Sequence, residues 1–381
     1  MIPYGKHTLF PDDIDAVTQV LEQGFLTQGQ QVPAFERALC EYTGAAFAVA
    51  CNSGTSGLHI ACLAAGVTSG DVVWTVPNSF AASANCGRYC GAEVDFVDID
   101  PVTRNLCTAS LVDKLHFAAA ENKIPKVIIV VHFAGSSCDM AEIAAITEPF
   151  GITLIEDAAH ALGAKDAQGH IVGAGRFSAM TVLSFHPVKS ITSAEGGAVL
   201  TNDDELAALL RRYASHGITR DPNMLGDAHQ DEPWFYAQFE LGFNYRLSDV
   251  HAALGLSQLK HLDSFVARRY TLAQVYHKAL ADLPVIRPVL DPNSAWHLYM
   301  IELTKHDRKQ VFNELRERGV GVNVHYIPIH LHPYYQQLGF RPGQFPNAEH
   351  YYRRALTLPL FPALSADNQM EVITQLSEVL S

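Results

Sequence analysis

The feature that most constrains the fold is a series of short, largely apolar runs separated by helix-like segments. "AFAVACNS", "DVVWTVP", "AEVDFVDID", "KVIIVVHFAG", "ITLIEDAAH" and "SAMTVLSF" follow one another between residues 46 and 185. These runs do not alternate apolar with polar residues, so each reads as a strand covered on both faces. Between the first ones stand "SGLHIACLAAG" and "SFAASANCGRYCG", which read as helices. Strand and helix in alternation predict an α/β fold with a large, mostly parallel sheet and right-handed crossovers.

From Leu247 the pattern changes. "LSDVHAALGLSQLKHLDSFVARRYTLAQVYHKAL" keeps helical spacing for over thirty residues without proline. It predicts one long helix, or two nearly collinear ones, with Ser248 or Asp249 as N-cap. "WHLYMIEL", "RKQVFNELRERG" and "VGVNVHYIP" then read as strand, helix and strand, and "SADNQMEVITQLSEVL" as an amphipathic helix starting at Ser365 or Asp367. A chain of 381 residues suits two packed domains. The expected division is a large domain over 1–250 and a smaller C-terminal α/β domain over 251–381.

Composition narrows the function classes. A net charge of -13 with no Lys/Arg-rich block argues against a nucleic-acid or anionic-membrane partner. An anionic substrate would need this acidity broken locally. No run of 18 apolar residues is present and the start, "MIPYGKHTLFPDD", lacks a signal-peptide pattern, so the cytoplasm is the expected compartment. Seven cysteines and eighteen histidines show no disulfide framework, CxxC pair or HExxH motif. Cys86 and Cys90, His132, and His330 with His332 therefore read as ordinary structural residues, and no metal is expected. No GxGxxG follows the first strand and no GxxxxGK[ST] occurs, which disfavours dinucleotide and P-loop sites.

In an open parallel sheet, ligands bind beyond the carboxyl ends of the strands. At those ends the chain places four groups. "NSGTSG" offers small residues, a helix N-terminus and the hydroxyls of Thr55 and Ser56 for an anion. Phe80 is either a stacking plate or core. Asp157, where an apolar strand ends, is a carboxylate that needs a cationic partner if buried. Ser184 and then Lys189, in "SFHPVKSITSAEGGA", add a hydroxyl and an amine. Anion cradle, aromatic plate, carboxylate and amine together fit pyridoxal 5′-phosphate (PLP), with its phosphate, flat ring, ring nitrogen and aldehyde.

In order, "NSGTSGLH", "PNSFAASAN", "EDAAHALGA", "SFHPVKSITSAEGGA", "SHGI", "LGFNYRLSDVHAALGLSQL" and "VHYIPIHLHPYY" resemble the DegT/DnrJ/EryC1/StrS family of sugar aminotransferases. The resemblance runs from about residue 20 to 362. It implies the PLP-dependent transferase fold of type I, like aspartate aminotransferase. It makes Lys189 the catalytic residue that carries the cofactor and shuttles a proton. Asp157 would hold the ring nitrogen, His160 stand near the cofactor's phenolic oxygen, Thr55, Ser56 and Ser184 contact the phosphate, and Phe80 stack on the ring. Asn244 would reach the phosphate of a neighbouring subunit, which implies a homodimer with shared sites. A related dehydratase branch has histidine at the lysine position, so Lys189 favours transamination.

Within the family, the chain is most similar to the branch of pseudaminic-acid biosynthesis. That branch moves an amino group from glutamate to a UDP-linked keto sugar, UDP-2-acetamido-2,6-dideoxy-β-L-arabino-hexos-4-ulose. Tyr4, His325 and Tyr326 would line the sugar pocket there. Ser193 departs from a threonine frequent in that branch but keeps the hydroxyl. Another nucleotide-linked keto sugar (D-configured 4-keto, or 3-keto) stays an alternative, as does a non-catalytic scaffold of the same fold. Arg246 and Arg220 are candidates for the donor's carboxylate, or for plain salt bridges.

Overall fold

The structure is a computed structural model and describes residues 1–226 and 232–381. Seven strands form the large sheet: β1 (Phe47–Cys51), β2 (Val72–Thr75), β3 (Glu93–Phe96), β4 (Val127–Val131), β5 (Thr153–Asp157), β6 (Met180–Ser184) and β7 (Gly197–Thr201). Their order is β1-β7-β6-β5-β4-β2-β3. β7 runs antiparallel to both of its neighbours, while the pairs among β2 to β6 are parallel. All five residues of β4 are buried, as are those of β7, so "VIIVV" and "GAVLT" can carry no polar face. The expected α/β architecture with a mostly parallel sheet is present.

The register brings the site together. Gly197, at the start of β7, is the partner of Cys51 on one side and Ser184 on the other. On β5, Asp157 pairs with Val131 of β4 and Val182 of β6. The ends of β1, β5 and β6 therefore meet at one edge. The helix Gly54–Ala64 leaves β1 there, capped by Ser53, whose Oγ accepts from the Ser56 N–H. Gly57 lets this helix lie against the sheet, since a Cβ there would come within 2.9 Å of Val182 Cγ1.

After a two-stranded pair, β8 (Ile218–Thr219) and β9 (Ala237–Gln238), the chain enters two helices, Asp249–Leu259 and Leu262–Ala279. Ser248 is the N-cap of the first, accepting from the His251 N–H. A second, antiparallel sheet has the order β10 (Val285–Ile286), β11 (Tyr299–Leu303), β12 (Ala355–Leu358). It packs with the helices Arg308–Glu317 and Ala366–Val379 around Tyr276, Tyr299, Ile301, Leu315 and Val372. Ser365 caps the last helix.

One expected strand is replaced. Val320–Pro328 makes only isolated bridges, Val320 to Ile2 and Asn323 to Thr357. Val320 and Val322 are buried, which produces the strand-like pattern, but from Asn323 the chain turns into the cleft. The third strand is β12, within "RRALTLP". Among the described residues no helix is long and apolar enough to cross a membrane.

Candidate active site

A cavity of about 470 Å³ lies at the meeting point of β1, β5 and β6, closed on its other side by Asn323–Tyr326 and the N-terminal arm. Of the residues singled out in the sequence, Tyr4, Thr55, Phe80, Asp157, His160, Ser184, Lys189, His325 and Tyr326 line it. Two do not. Ser56 turns its hydroxyl to Asn52 Oδ1, 2.6 Å away, and lies 2.8 Å from Ser53 Oγ. Ser56 therefore stands outside the lining and Ser53 within it, because the first helical turn points Ser56 inward. Asn244 is exposed and outside the lining, its carbonyl accepting from Asn52 Nδ2.

The cradle beside Ser53 is narrow. A Cβ on Gly54 would stand 2.9 Å from Ser184 Cβ, so only glycine lets the first turn reach the end of β6. The opening N–H groups of a helix have no partner within it and carry its positive end. With Thr55 and Ser184 close by, these groups form an anion-binding corner.

Lys189 sits in a loop pinned to the strand end. Phe185 and Gly196 join backbones at 2.9 Å, Ser193 N–H donates to Phe185 O, and Lys189 N–H donates to His186 O. The loop is thus no free surface excursion, and its lysine faces the cavity. Burial pushes the amine down to about 8, with the charge of Asp157 working in the opposite direction.

Asp157 is buried and, among the described residues, makes no ion pair. Ser83 Oγ donates to its Oδ2 at 2.6 Å, and the Ala159 N–H to its Oδ1 at 3.1 Å. Ser79 Oγ lies 2.7 Å from Ser83 Oγ and extends the chain. A buried carboxylate without a cation is costly on its own. It suits a ligand that brings a positive N–H. Phe80 is 62% exposed, which excludes the core reading and leaves its ring free at the cavity mouth.

The histidines have defined roles as hydrogen-bond partners. The Ala134 N–H donates to His160 Nδ1 at 3.3 Å, so the proton of a neutral ring sits on Nε2 and points to Tyr326 Oη, 3.0 Å away. Burial, and then the charge of Lys189, hold His160 well below the ordinary histidine value. His325 is pushed down to about 4 by burial, then by Lys189, and its Nδ1 lies 2.8 Å from Thr357 Oγ1. Burial and the charge of Asp157 push the Tyr326 phenol upward, so it stays protonated.

Sequence reasoning missed His186, Glu195, Asn323 and His297 in the lining. His297 stacks on His160 with ring centres 4.3 Å apart, and its only signal was one histidine opening an apolar strand. Ser83 also went unnoticed. Arg246 donates to Ser215 Oγ and Arg220 lies over the Tyr236 ring; neither lines the cavity. His132 is buried against Glu156, and His330 against Glu349. Cys86 donates to the Ser83 carbonyl.

A buried amine, an unpaired carboxylate and an anion corner on the strand ends of a large α/β sheet define the class: a site for a flat, anionic, ring-nitrogen ligand next to a reactive lysine. The model of the DegT/DnrJ/EryC1/StrS aminotransferase family matches residues 8–377, and the chain belongs to that family of enzymes. It is 37% identical over 365 residues to the UDP-4-amino-4,6-dideoxy-N-acetyl-β-L-altrosamine transaminase of Campylobacter jejuni, covering 94% of this chain and 92% of the relative. It is 36% identical to the spore coat polysaccharide biosynthesis protein SpsC of Bacillus subtilis, over 100% of this chain and 97% of that one. Among solved structures it is similar to Helicobacter pylori PseC, an aminotransferase of pseudaminic-acid biosynthesis. There the TM-score is 0.89 at 31% identity, with 100% of this chain and 99% of the other covered. The sugar aminotransferase Spr1654 of Streptococcus pneumoniae, solved in a pyridoxamine phosphate form, gives a TM-score of 0.90 at 27% identity, with 100% and 99% covered.

Proposed function

We propose that this protein is a PLP-dependent nucleotide-sugar aminotransferase. It moves the amino group of glutamate to C4 of UDP-2-acetamido-2,6-dideoxy-β-L-arabino-hexos-4-ulose and yields UDP-4-amino-4,6-dideoxy-N-acetyl-β-L-altrosamine. The observation that carries this reading is the pairing in one cavity of the Lys189 amine with the unpaired, buried Asp157. The identity to the Campylobacter transaminase over most of both chains supports the choice of sugar.

The residues present fit PLP. The first-turn N–H groups, Ser53, Thr55 and Ser184 would take the phosphate, Asp157 the ring N–H, and Phe80 one face of the ring. When bound, PLP supplies the electron-withdrawing ring that makes the adjacent C–H bond acidic and holds the amino group between donor and acceptor. Lys189 takes the proton from the glutamate α-carbon and later delivers one to C4 of the sugar. An amine lowered to about 8 suits a group that must both accept and release a proton near neutral pH. Asp157, fixed by Ser83 and the Ala159 N–H, keeps the ring nitrogen protonated. Tyr326 and His325, held uncharged, offer hydrogen bonds to the sugar's oxygens without competing for the Lys189 proton. Tyr4, with its ring 5.4 Å from His325, closes that side. The domain division near residue 250 and a cytoplasmic homodimer, with Asn244 reaching the partner's site, belong to the same proposal.

Lys189→Ala tests the assignment. It keeps the fold, as read by circular dichroism, and abolishes transfer from glutamate. Wild-type turnover in this variant would remove Lys189 from the mechanism.

A further inference from the structure

Away from the cofactor cavity, a second buried carboxylate has no counter-charge. Asp13 stands in the first turn of the helix Pro11–Gln23 and is 1% exposed. Its Oδ2 accepts from the Phe10 N–H at 2.9 Å and from Gln258 Nε2 at 2.6 Å. Its Oδ1 is buried without a hydrogen-bond partner, and among the described residues Asp13 makes no ion pair. A carboxylate taken out of water needs a cation as well as hydrogen bonds, and the Gln258 amide is neutral. The same Nε2 also donates to the Thr8 carbonyl at 3.0 Å, and Thr8 Oγ1 is a second buried oxygen without a partner.

Two more donors border this gap. His261, in the link between the helices Asp249–Leu259 and Leu262–Ala279, holds its Nε2 3.0 Å from Asp12 Oδ2. One ligand-forming atom from each of Asp12, Asp13 and His261 lies within 4.8 Å of the other two. Donors of a single ion, each about 2.1 Å from it, stand about 3–4 Å apart, so small side-chain rotations close these three around one. Ser257 Oγ, 3.5 Å from Asp12 Oδ2, supports the outer carboxylate. Two carboxylates and one imidazole suit a borderline divalent ion better than Mg²⁺ or Ca²⁺, which take oxygen donors. No sequence motif could contain the set, because His261 lies 249 residues after Asp12.

We propose that Asp12, Asp13 and His261 bind one first-row divalent transition-metal ion of the Mn²⁺ or Zn²⁺ kind. The ion supplies the counter-charge that Asp13 lacks. It takes the position between Asp12 Oδ2 and His261 Nε2, and the neutral imidazole keeps its proton on Nδ1. It thereby joins the first turn of the N-terminal helix to the start of the helix Leu262–Ala279. Tyr4, which lines the cofactor cavity, leads into that N-terminal helix, so the site is a clasp on the N-terminal arm. The ion takes no part in transamination, and the inference does not depend on that reading.

The test is titration of the PLP-loaded enzyme, stripped of metal by a chelator, with Mn²⁺, the free ion being counted by electron paramagnetic resonance. Wild type takes up one Mn²⁺ per chain, and Zn²⁺ displaces it, as the order of divalent affinities requires. Asp12→Asn, Asp13→Asn and His261→Gln each weaken uptake about tenfold or more. Asp204→Asn, at an exposed acid in the first turn of another helix, leaves it unchanged. Excess Mn²⁺ raises the melting temperature of wild type but not of the three variants. Without metal, Asp13→Asn melts no lower than wild type, because the amide keeps an acceptor and removes the uncompensated charge; a plain helix cap would lose stability with or without Mn²⁺. Should Asp13→Asn fail to fold, Asp12→Asn and His261→Gln, at positions that are not buried, carry the test. Wild-type enzyme that takes up no Mn²⁺ even at large excess would overturn the site. Uptake that all three substitutions leave intact would overturn it too, since the ion would then sit elsewhere.

Discussion

The ionisation of the Lys189 amine can be read without any substrate. An ordinary lysine titrates near 10.5; in this cavity burial lowers the amine to about 8. That difference corresponds to a bias on the order of 3 kcal/mol against the charged form. At pH 7.5 about a quarter of the Lys189 amines are then free, against about one in a thousand for an exposed lysine. In the cofactor-free protein, modification by a small amine-selective reagent, quantified on the Lys189 peptide by mass spectrometry across pH 6 to 11, should rise with a midpoint near 8. Surface lysines in the same digest supply the reference at their ordinary value. Asp157 opposes the shift, so Asp157→Asn moves the midpoint lower still. The sign for stability follows from linkage. The unfolded chain binds more protons than the folded one between about 8 and 10.5, so cofactor-free protein gains stability as pH rises through that window. Lys189→Met should therefore raise the melting temperature of the cofactor-free protein near pH 7, where the cost of the buried charge is fully present. A Lys189 midpoint at or above 10, or one unmoved by Asp157→Asn, would refute the placement of this amine opposite the carboxylate.

Other outcomes follow from the packing. Gly54→Ala puts a Cβ 2.9 Å from Ser184 Cβ; it should cost about 1–3 kcal/mol in denaturant unfolding and weaken retention of PLP in equilibrium dialysis. Phe80→Ala removes a ring that is 62% exposed, so stability should stay within about 0.5 kcal/mol while PLP dissociates faster; a large loss of stability would return Phe80 to a core role. Ser83→Ala takes one of the two donors from buried Asp157 and should weaken PLP binding several-fold without changing the fold by circular dichroism.

The parts of the site that were legible in the sequence share one cause. Asp157, Ser184 and Lys189 stand at or just beyond the ends of largely apolar runs, and the rule that ligands sit beyond the carboxyl ends of parallel strands places them without any long-range information. The residues that escaped depend on tertiary packing. His297 lies two residues before β11, far along the chain, and reaches the cavity through tertiary packing that lays it on His160. Ser53 and Ser56 are both small hydroxyl residues in one glycine-rich turn, and the spacing alone does not tell which one the capping geometry turns outward. The reversed direction of β7 was invisible for a similar reason: a strand buried on both faces has the same pattern in either direction. Val320 and Val322 gave a strand-like alternation to a segment that touches the second sheet only through the isolated bridge from Asn323 to Thr357, while β12 hid in four residues directly after the helix Pro346–Arg354.

Transfer to one specific 4-keto UDP-sugar can be read in a single turnover. Yellow PLP-loaded enzyme is bleached with glutamate, freed of the excess, and mixed with the L-arabino 4-keto UDP-sugar or with its D-xylo isomer; colour and product are followed by absorbance and NMR. Return of the yellow colour with the L-arabino sugar alone, with a new amine at C4, is the expected result. Return with the D-xylo isomer alone would keep the family and contradict the substrate, and enzyme that never turns yellow with added PLP would contradict the role of Lys189.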